Sequence, residues 1–390
     1  MKIEEQHIAV FGASGSGKTV LLSSFYGAAQ EPSFLKDSRY HVVADDMSQG
    51  LRLSHNYLGM RDAATAPSTT RFAASSYSFR LEPNANHFEG EVKSQFDALR
   101  LVWHDYPGEW FEEDPSSAEE ATRRIEMFRG LLKSDVALIL VDGQKLLDYQ
   151  GEEKKYLKSL LWAIGNGISN LKKDILSDGA KLTKFPRIWI FALSKADLHP
   201  DLDAEKFKDL VILKVGDDVA ALRAKLQEFV DHPDALSIGQ DFMLLSSAKF
   251  EPGKIEVAER VGVDLIAPVA SLLPLEKAAK HARNLGIPLQ TLHKLIDNGG
   301  AFAKMATGAG AIKAVNTFLA MVPKIGKKVD PKLVKVIMRA LAVGLALGQE
   351  RLTEFLEEAV SNNDFAGALL AEFKRDLEQG TEEHLIVRSI

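Results

Sequence analysis

The sequence predicts an α/β fold: a mostly parallel sheet with helices on both faces, followed by a C-terminal α-helical domain. Three observations predict it. Short apolar runs at residues 7–11, 136–141, 188–193 and 242–245 suit buried parallel strands and are too short for buried helices. Between two of them, Tyr156, Leu157, Leu160, Leu161, Ile164, Ile168 and Leu171 recur at helical spacing. Beyond Pro268 strand-like runs nearly vanish and the pattern turns helical, with breaks at 284–288 and 298–300.

In chain order, the strand at 7–11 enters a glycine-rich turn and residues 20–28 continue as a helix. A polar stretch extends from about 31 to 70, in which 45–58 reads as helix and 63–70 as loop. The alternation at 76–81 and the apolar run at 99–103, with Asn84 and Asn86 as turn residues between them, read as a β-hairpin. The expected division is a nucleotide-binding unit over 1–272, with an insertion at about 29–72, and a helical unit over 273–390.

Composition narrows the function classes. A net charge of −6 disfavours wholesale nucleic-acid binding. The absence of Cys excludes disulfides, thiolate metal sites and Cys nucleophiles, and fits a reducing compartment. The ten histidines are scattered without metal-ligand spacing. The N-terminus shows no cationic start leading into an apolar segment, and no uncharged run reaches the about 18 residues of a spanning helix. A cytoplasmic protein is the expectation.

The strongest motif is Gly-Ala-Ser-Gly-Ser-Gly-Lys-Thr at 12–19, a match to Gly-x-x-x-x-Gly-Lys-Ser/Thr. Gly12, Gly15 and Gly17 let the backbone wrap so that the N–H groups of Ser14, Gly15, Ser16 and Gly17 can turn toward phosphate oxygens. The helix after the loop adds its N-terminal partial charge. Lys18 supplies a cation to the β- and γ-phosphates, and the Thr19 hydroxyl is placed for Mg²⁺. A P-loop specifies a nucleoside triphosphate without choosing the base.

Three further motifs make that choice, each just after a predicted strand. Asp105-Tyr-Pro-Gly108 offers a carboxylate for Mg²⁺ and a glycine N–H for the γ-phosphate. Ser194-Lys195-Ala-Asp197 matches the pattern that reads guanine: the carboxylate accepts from the base N1–H and amine, and the Lys195 stem lies over the ring. Ser194 stands where Asn is usual and has a shorter reach toward the P-loop. Ser247-Ala248-Lys249 can present the Ala248 N–H to the guanine carbonyl oxygen.

On these residues the chain resembles the TRAFAC class of P-loop GTPases over about 1–272. The run Asp-Tyr-Pro-Gly-Glu-Trp from Asp105 to Trp110 is similar to the motif of YcjX-like proteins and related bacterial double-GTPase families, which also carry a long segment before it. The resemblance implies a Ras-like G domain, GTP and GDP as substrate and product, Mg²⁺, and a switch that hydrolyses GTP slowly without a partner. By the same resemblance Thr69 or Thr70, beside Arg71, is the switch I threonine over Mg²⁺, and Glu109 stands where the water-orienting Gln is usual. Trp110 beside the switch is placed to report nucleotide state. A nucleotide-binding scaffold with little hydrolysis and an ATP-using P-loop enzyme are the alternatives.

Residues 301–340 carry seven Lys and one Arg against the single acid Asp330, interleaved with Phe318, Leu319, Met321, Val322, Ile337 and Met338. The stretch after them is acidic, with Glu350, Glu354, Glu357, Glu358, Glu372, Asp376 and Glu378. A helical bundle with complementary surfaces is one reading; docking on a protein partner or on an anionic membrane at its inner face is the other. Nucleotide-dependent dimerisation stays open.

Overall fold

The computed structural model describes residues 3–67, 75–84, 87, 98–105, 117–170, 172–176, 181–182, 188–230, 233, 236–284 and 365–389. Five strands run parallel at the centre of the sheet: β1 (Ile3–Phe11), β4 (Ala98–Asp105), β5 (Val136–Asp142), β6 (Ile188–Ser194) and β7 (Ser237–Leu245). Every residue of β5 and β6 is buried, as continuous apolar runs covered on both faces require. β3 (Ser75–Pro83) returns antiparallel along β4, and β2 (Tyr40–Ala44) adds antiparallel to β3. With β10 (Ile386–Val387) on β7, the order is β10-β7-β6-β5-β1-β4-β3-β2. A small hairpin, β8 (Lys249–Glu251) and β9 (Lys254–Glu256), stands apart.

Side-chain alternation splits the core into two layers. Ile8, Val10, Leu138, Leu140, Ile190 and Ala192 cluster with α1 (Lys18–Ala28), α9 (Ile266–Asn284) and α10 (Phe365–Glu382). Ala9, Phe11, Ile139, Val141, Phe191 and Leu193 cluster with α4 (Ala118–Leu131), α6 (Glu153–Asn170) and α8 (Ala204–Gln227). α2 (Pro32–Asp37) and α3 (Met47–Ala63) flank β2, while α5 (Gly143–Asp148) and α7 (Lys172–Ile175) bracket α6. The stretch expected as a polar insertion thus holds an edge strand as well as the expected helix. Among the described residues no helix is long and apolar enough to cross a membrane.

The chain's end requires a correction. The division expected at 272/273 falls inside α9, whose Leu272 and Leu273 are fully buried in the main core. α10, assigned from sequence to a helical second unit, instead lays Leu369, Phe373 and Leu377 into that same core, and Phe373 meets the Tyr40 ring edge-on at 5.7 Å. Two ion pairs fasten the segment around β10. The Lys277 ammonium lies 2.9 Å from the Asp241 carboxylate, which is 0% exposed. The Ser389 N–H donates to the same carboxylate at 3.0 Å. Arg388 donates to both oxygens of Glu276 at 3.0 and 2.8 Å. Burial pushes Lys277 down and Glu276 up from their ordinary pKa values, and each partner opposes that shift. The basic stretch 301–340 lies outside the described residues.

Phe373→Ala should therefore destabilise the whole chain by about 3–5 kcal/mol, seen as one shifted transition in urea unfolding. A core transition that stayed at its wild-type midpoint would mean that α10 is independent of it. A second expectation concerns pH. Burial, aided by Asp264 and opposed by Arg375, pushes the Asp376 carboxyl from 3.8 up to about 6. A raised acid stabilises the fold while protonated, so its contribution is full below 3.8 and is lost as pH rises through about 6. Asp376→Asn should stabilise the protein at pH 8 by about 1 kcal/mol, after allowance for solvent screening, and change little at pH 4.

Candidate functional site

Parallel strands end on one edge, and the motif residues that lie within the described structure sit at that edge, Lys249 excepted. β1 leads into the loop 12–17, whose backbone path is set by glycine. Gly15 and Gly17 adopt φ of 78° and 89°, where a side chain is strained although a Cβ would meet nothing within 4 Å. Gly12 is required for a different reason: a Cβ there would lie 2.6 Å from Ser16 Oγ and 3.0 Å from Leu140 Cβ. Ser16 is buried beneath the loop, its hydroxyl without a hydrogen-bond partner among the described residues.

The start of α1 is electrostatically open. Asp46, Asp142 and Asp203 cap α3, α5 and α8 with their carboxylates, whereas Gly17 gives α1 no side-chain cap and its first turn carries no acid. The positive end of that helix thus faces the loop with no carboxylate of its own beside it. Lys18 is buried, and its ammonium donates to Gly12 O at 2.8 Å and Ala13 O at 3.0 Å, across the loop. Thr19 comes next within the first helical turn and is half-buried.

Asp105 closes β4, the strand beside β1, where Ala9 pairs with His104. Its carboxylate is buried one residue beyond that pair, at the level of the P-loop entrance. On the other side of β1, β5 ends at Asp142 and β6 at Ser194, which pair directly in the ladder. Lys195 takes a left-handed conformation at φ 54°, and its ammonium meets the Asp142 carboxylate at 2.8 and 3.0 Å. Ser194, expected to reach toward the P-loop, donates to Val141 O at 3.3 Å instead.

β7 supplies the last part. Ser246 Oγ donates to Asp197 Oδ1 at 2.5 Å and lies 3.0 Å from Ala248 O, so the Asp197 carboxylate is held from the neighbouring strand. Ser247 O accepts from Ser24 Oγ of α1 at 2.8 Å, joining this turn to the P-loop helix, and Ala248 is buried beneath it. Lys249 is not gathered with these groups. It is exposed on the β8–β9 hairpin and ion-paired to Glu251 at 3.1 Å and Glu259 at 3.6 Å. Thr69, Gly108 and Glu109, with Ser68, Thr70, Arg71 and Trp110, lie outside the described residues.

Asp142, Gly143 and Ser246 are site residues that the motif reading missed. Asp142 had a visible signal, an acid at the tip of an apolar strand like Asp105. Ser246 had none, because nothing in Ser246-Ser247 says which hydroxyl meets Asp197. Gly143 is recognised only by its surroundings: a Cβ would lie 2.6 Å from Ser194 O and 2.7 Å from Lys195 O. Behind the base loop a cavity of about 460 Å³ separates Asp197 and His199 from the C-terminal turn at His384, whose carbonyl accepts from the Ala204 N–H at 2.9 Å.

A family model described as Double-GTPase 2 matches residues 6–233. No curated protein sequence matches the chain. Two solved structures give loose likenesses. The signal recognition particle receptor SRb-GTP/SRX complex from Chaetomium thermophilum is 18% identical, with 64% of this chain and 93% of that chain covered and a TM-score of 0.33. The cytosolic domain of the T. maritima FeoB iron transporter in a GDP form is 12% identical, with 98% and 100% covered and a TM-score of 0.25. Superpositions this loose have no bearing on function.

Two glycine substitutions test the geometry. Gly143→Ala must displace backbone oxygens of the base loop and should cost about 1–3 kcal/mol in urea unfolding. Gly130→Ala, in α4 with nothing within 4 Å of its Cβ, should be neutral or stabilise by about 0.5–1 kcal/mol. Equal effects would mean that the contact between the loops after β5 and β6 is not close.

Proposed function

Because the chain belongs to the Double-GTPase 2 family, we propose that it is a GTP-binding and GTP-hydrolysing switch that couples nucleotide state to its C-terminal part. The observation that supports this most is the convergence on one sheet edge of the loop 12–17, an uncapped helix start, Lys18, Asp105, Lys195 and a pre-held Asp197.

In this reading the loop amides and the start of α1 bind the phosphates, and Lys18 places its charge against the β- and γ-phosphates. Asp197 accepts from guanine N1–H and its exocyclic amine, a pairing adenine cannot offer. The turn at Ser247 and Ala248 bounds the base on its carbonyl side. Thr19 and Asp105 fit magnesium, because a hydroxyl and a carboxylate are hard oxygen donors and the ion takes few protein ligands beside substrate phosphates. When bound, magnesium neutralises charge on the β- and γ-phosphate oxygens.

Hydrolysis is in-line attack of water on the γ-phosphorus, breaking its bond to the β–γ bridging oxygen and releasing GDP and phosphate. Glu109 orients that water, and Thr69 with Gly108 senses the γ-phosphate in the switches. The output is a protein partner at the switches or the C-terminal part, with residues 301–340 as the segment for an anionic membrane surface.

Lys18→Ala should lower GTP affinity by about 100-fold or more, equivalent to about 2.8 kcal/mol, with an unchanged unfolding midpoint. Wild-type affinity in that variant would refute the P-loop assignment. Asp197→Asn should shift preference from GTP toward XTP in competition calorimetry, because the amide donates where the carboxylate accepted. A wild-type protein that bound ATP as tightly as GTP would overturn the choice of base. Single-turnover phosphate release separates a hydrolase from a nucleotide-binding scaffold.

A further inference from the structure

We infer that Asp142 is a positioning residue for Lys195, so the end of β5 sets the affinity for the purine together with the base loop itself; this rests on the guanine-binding reading above. The Asp142 carboxylate is 4% exposed, and among the described residues the cation that meets it is the Lys195 ammonium, at 2.8 and 3.0 Å. A carboxylate so far from solvent holds its counterion firmly, because losing it leaves a buried charge uncompensated.

Asp142 cannot swing to track a mobile lysine. Its N–H donates to Tyr156 Oη at 2.7 Å, and its Oδ1 accepts from the Gln144 N–H at 3.0 Å as the cap of α5. Burial raises the Tyr156 hydroxyl above its ordinary pKa, so that anchor stays a neutral phenol. The neighbouring Gly143 O is met by His199 Nε2 at 2.8 Å, which ties the two strand-end loops at a second point. Lys195 itself is a non-glycine residue at φ 54°, a conformation that the surrounding contacts must impose.

The consequence for binding is preorganisation. With Cα fixed by the loop and Nζ fixed by Asp142, the four-carbon stem between them has little freedom left. A flexible lysine would lose rotamer freedom when a ring settled on it; this one has lost it already. The arrangement is matched on the other side, where Ser246 of the β7 end holds Asp197. The shelf and the reader, two residues apart in sequence, are each set by a different neighbouring strand.

The test is calorimetry of GTP, ITP and XTP with full-length wild type, Asp142→Asn, Lys195→Met and the double variant. Asn keeps the cap acceptor and the side-chain shape while removing the charge. Asp142→Asn should weaken all three nucleotides by the same factor, about 10- to 100-fold, because a stem supports any purine face. The GTP:XTP ratio, governed by Asp197, should not move. The double variant should bind no worse than Lys195→Met alone. Wild-type affinity in Asp142→Asn, or additive losses in the double variant, would overturn the inference while leaving guanine binding intact. A wild type that binds none of the three removes the guanine-binding reading and this inference with it.

Discussion

The hydrogen bonds that hold β1 between β4 and β5, and extend through β6 to β7, align five strand ends on a single edge. In a parallel sheet each strand leaves the core at the same side, so the residues at or just past its C-terminal end meet their counterparts from the other strands. The phosphate loop, Asp105, Asp142, Lys195 and Ser246 are such residues. They are far apart in sequence and adjacent in space because the apolar runs before them are registered against one another. Val141 opposite Leu193 and Asp142 opposite Ser194 show how literally that register sets the site.

At that edge the charges are arranged by what each can and cannot share. Helices α3, α5 and α8 satisfy their own N-termini with aspartates, and α1 does not. Lys18 donates to two carbonyl oxygens of the loop, those of Gly12 and Ala13, which hold its ammonium across the loop. Lys195 is neutralised, by Asp142, and its apolar stem is the part it has to offer a ligand.

The C-terminal segment belongs to the same construction. α9 is buried along the sheet, α10 packs against α9, and β10 completes the sheet beyond β7. The Asp241 carboxylate, with Lys277 and the Ser389 N–H, ties the strand that supplies Ser246 to the last residues described, and the 384 turn meets the start of α8 at Ala204, across a cavity from the base loop.

The sequence by itself determined the parallel strands, because runs such as 136–141 and 188–193 have too few residues and too little polarity to be anything else. It also determined the P-loop, whose glycines are demanded by left-handed backbone at 15 and 17. It missed β2, five residues inside a polar stretch whose Tyr40 is buried only because Phe34 and Phe373 pack on it. It placed 365–389 in a separate unit, since an amphipathic helix does not state which surface covers its apolar face. It could not find Asp142 or Ser246 as holders of Lys195 and Asp197. Local pattern fixes what a residue can do; which partner limits its motion is a matter of neighbouring strands in register, and only the tertiary structure decides that.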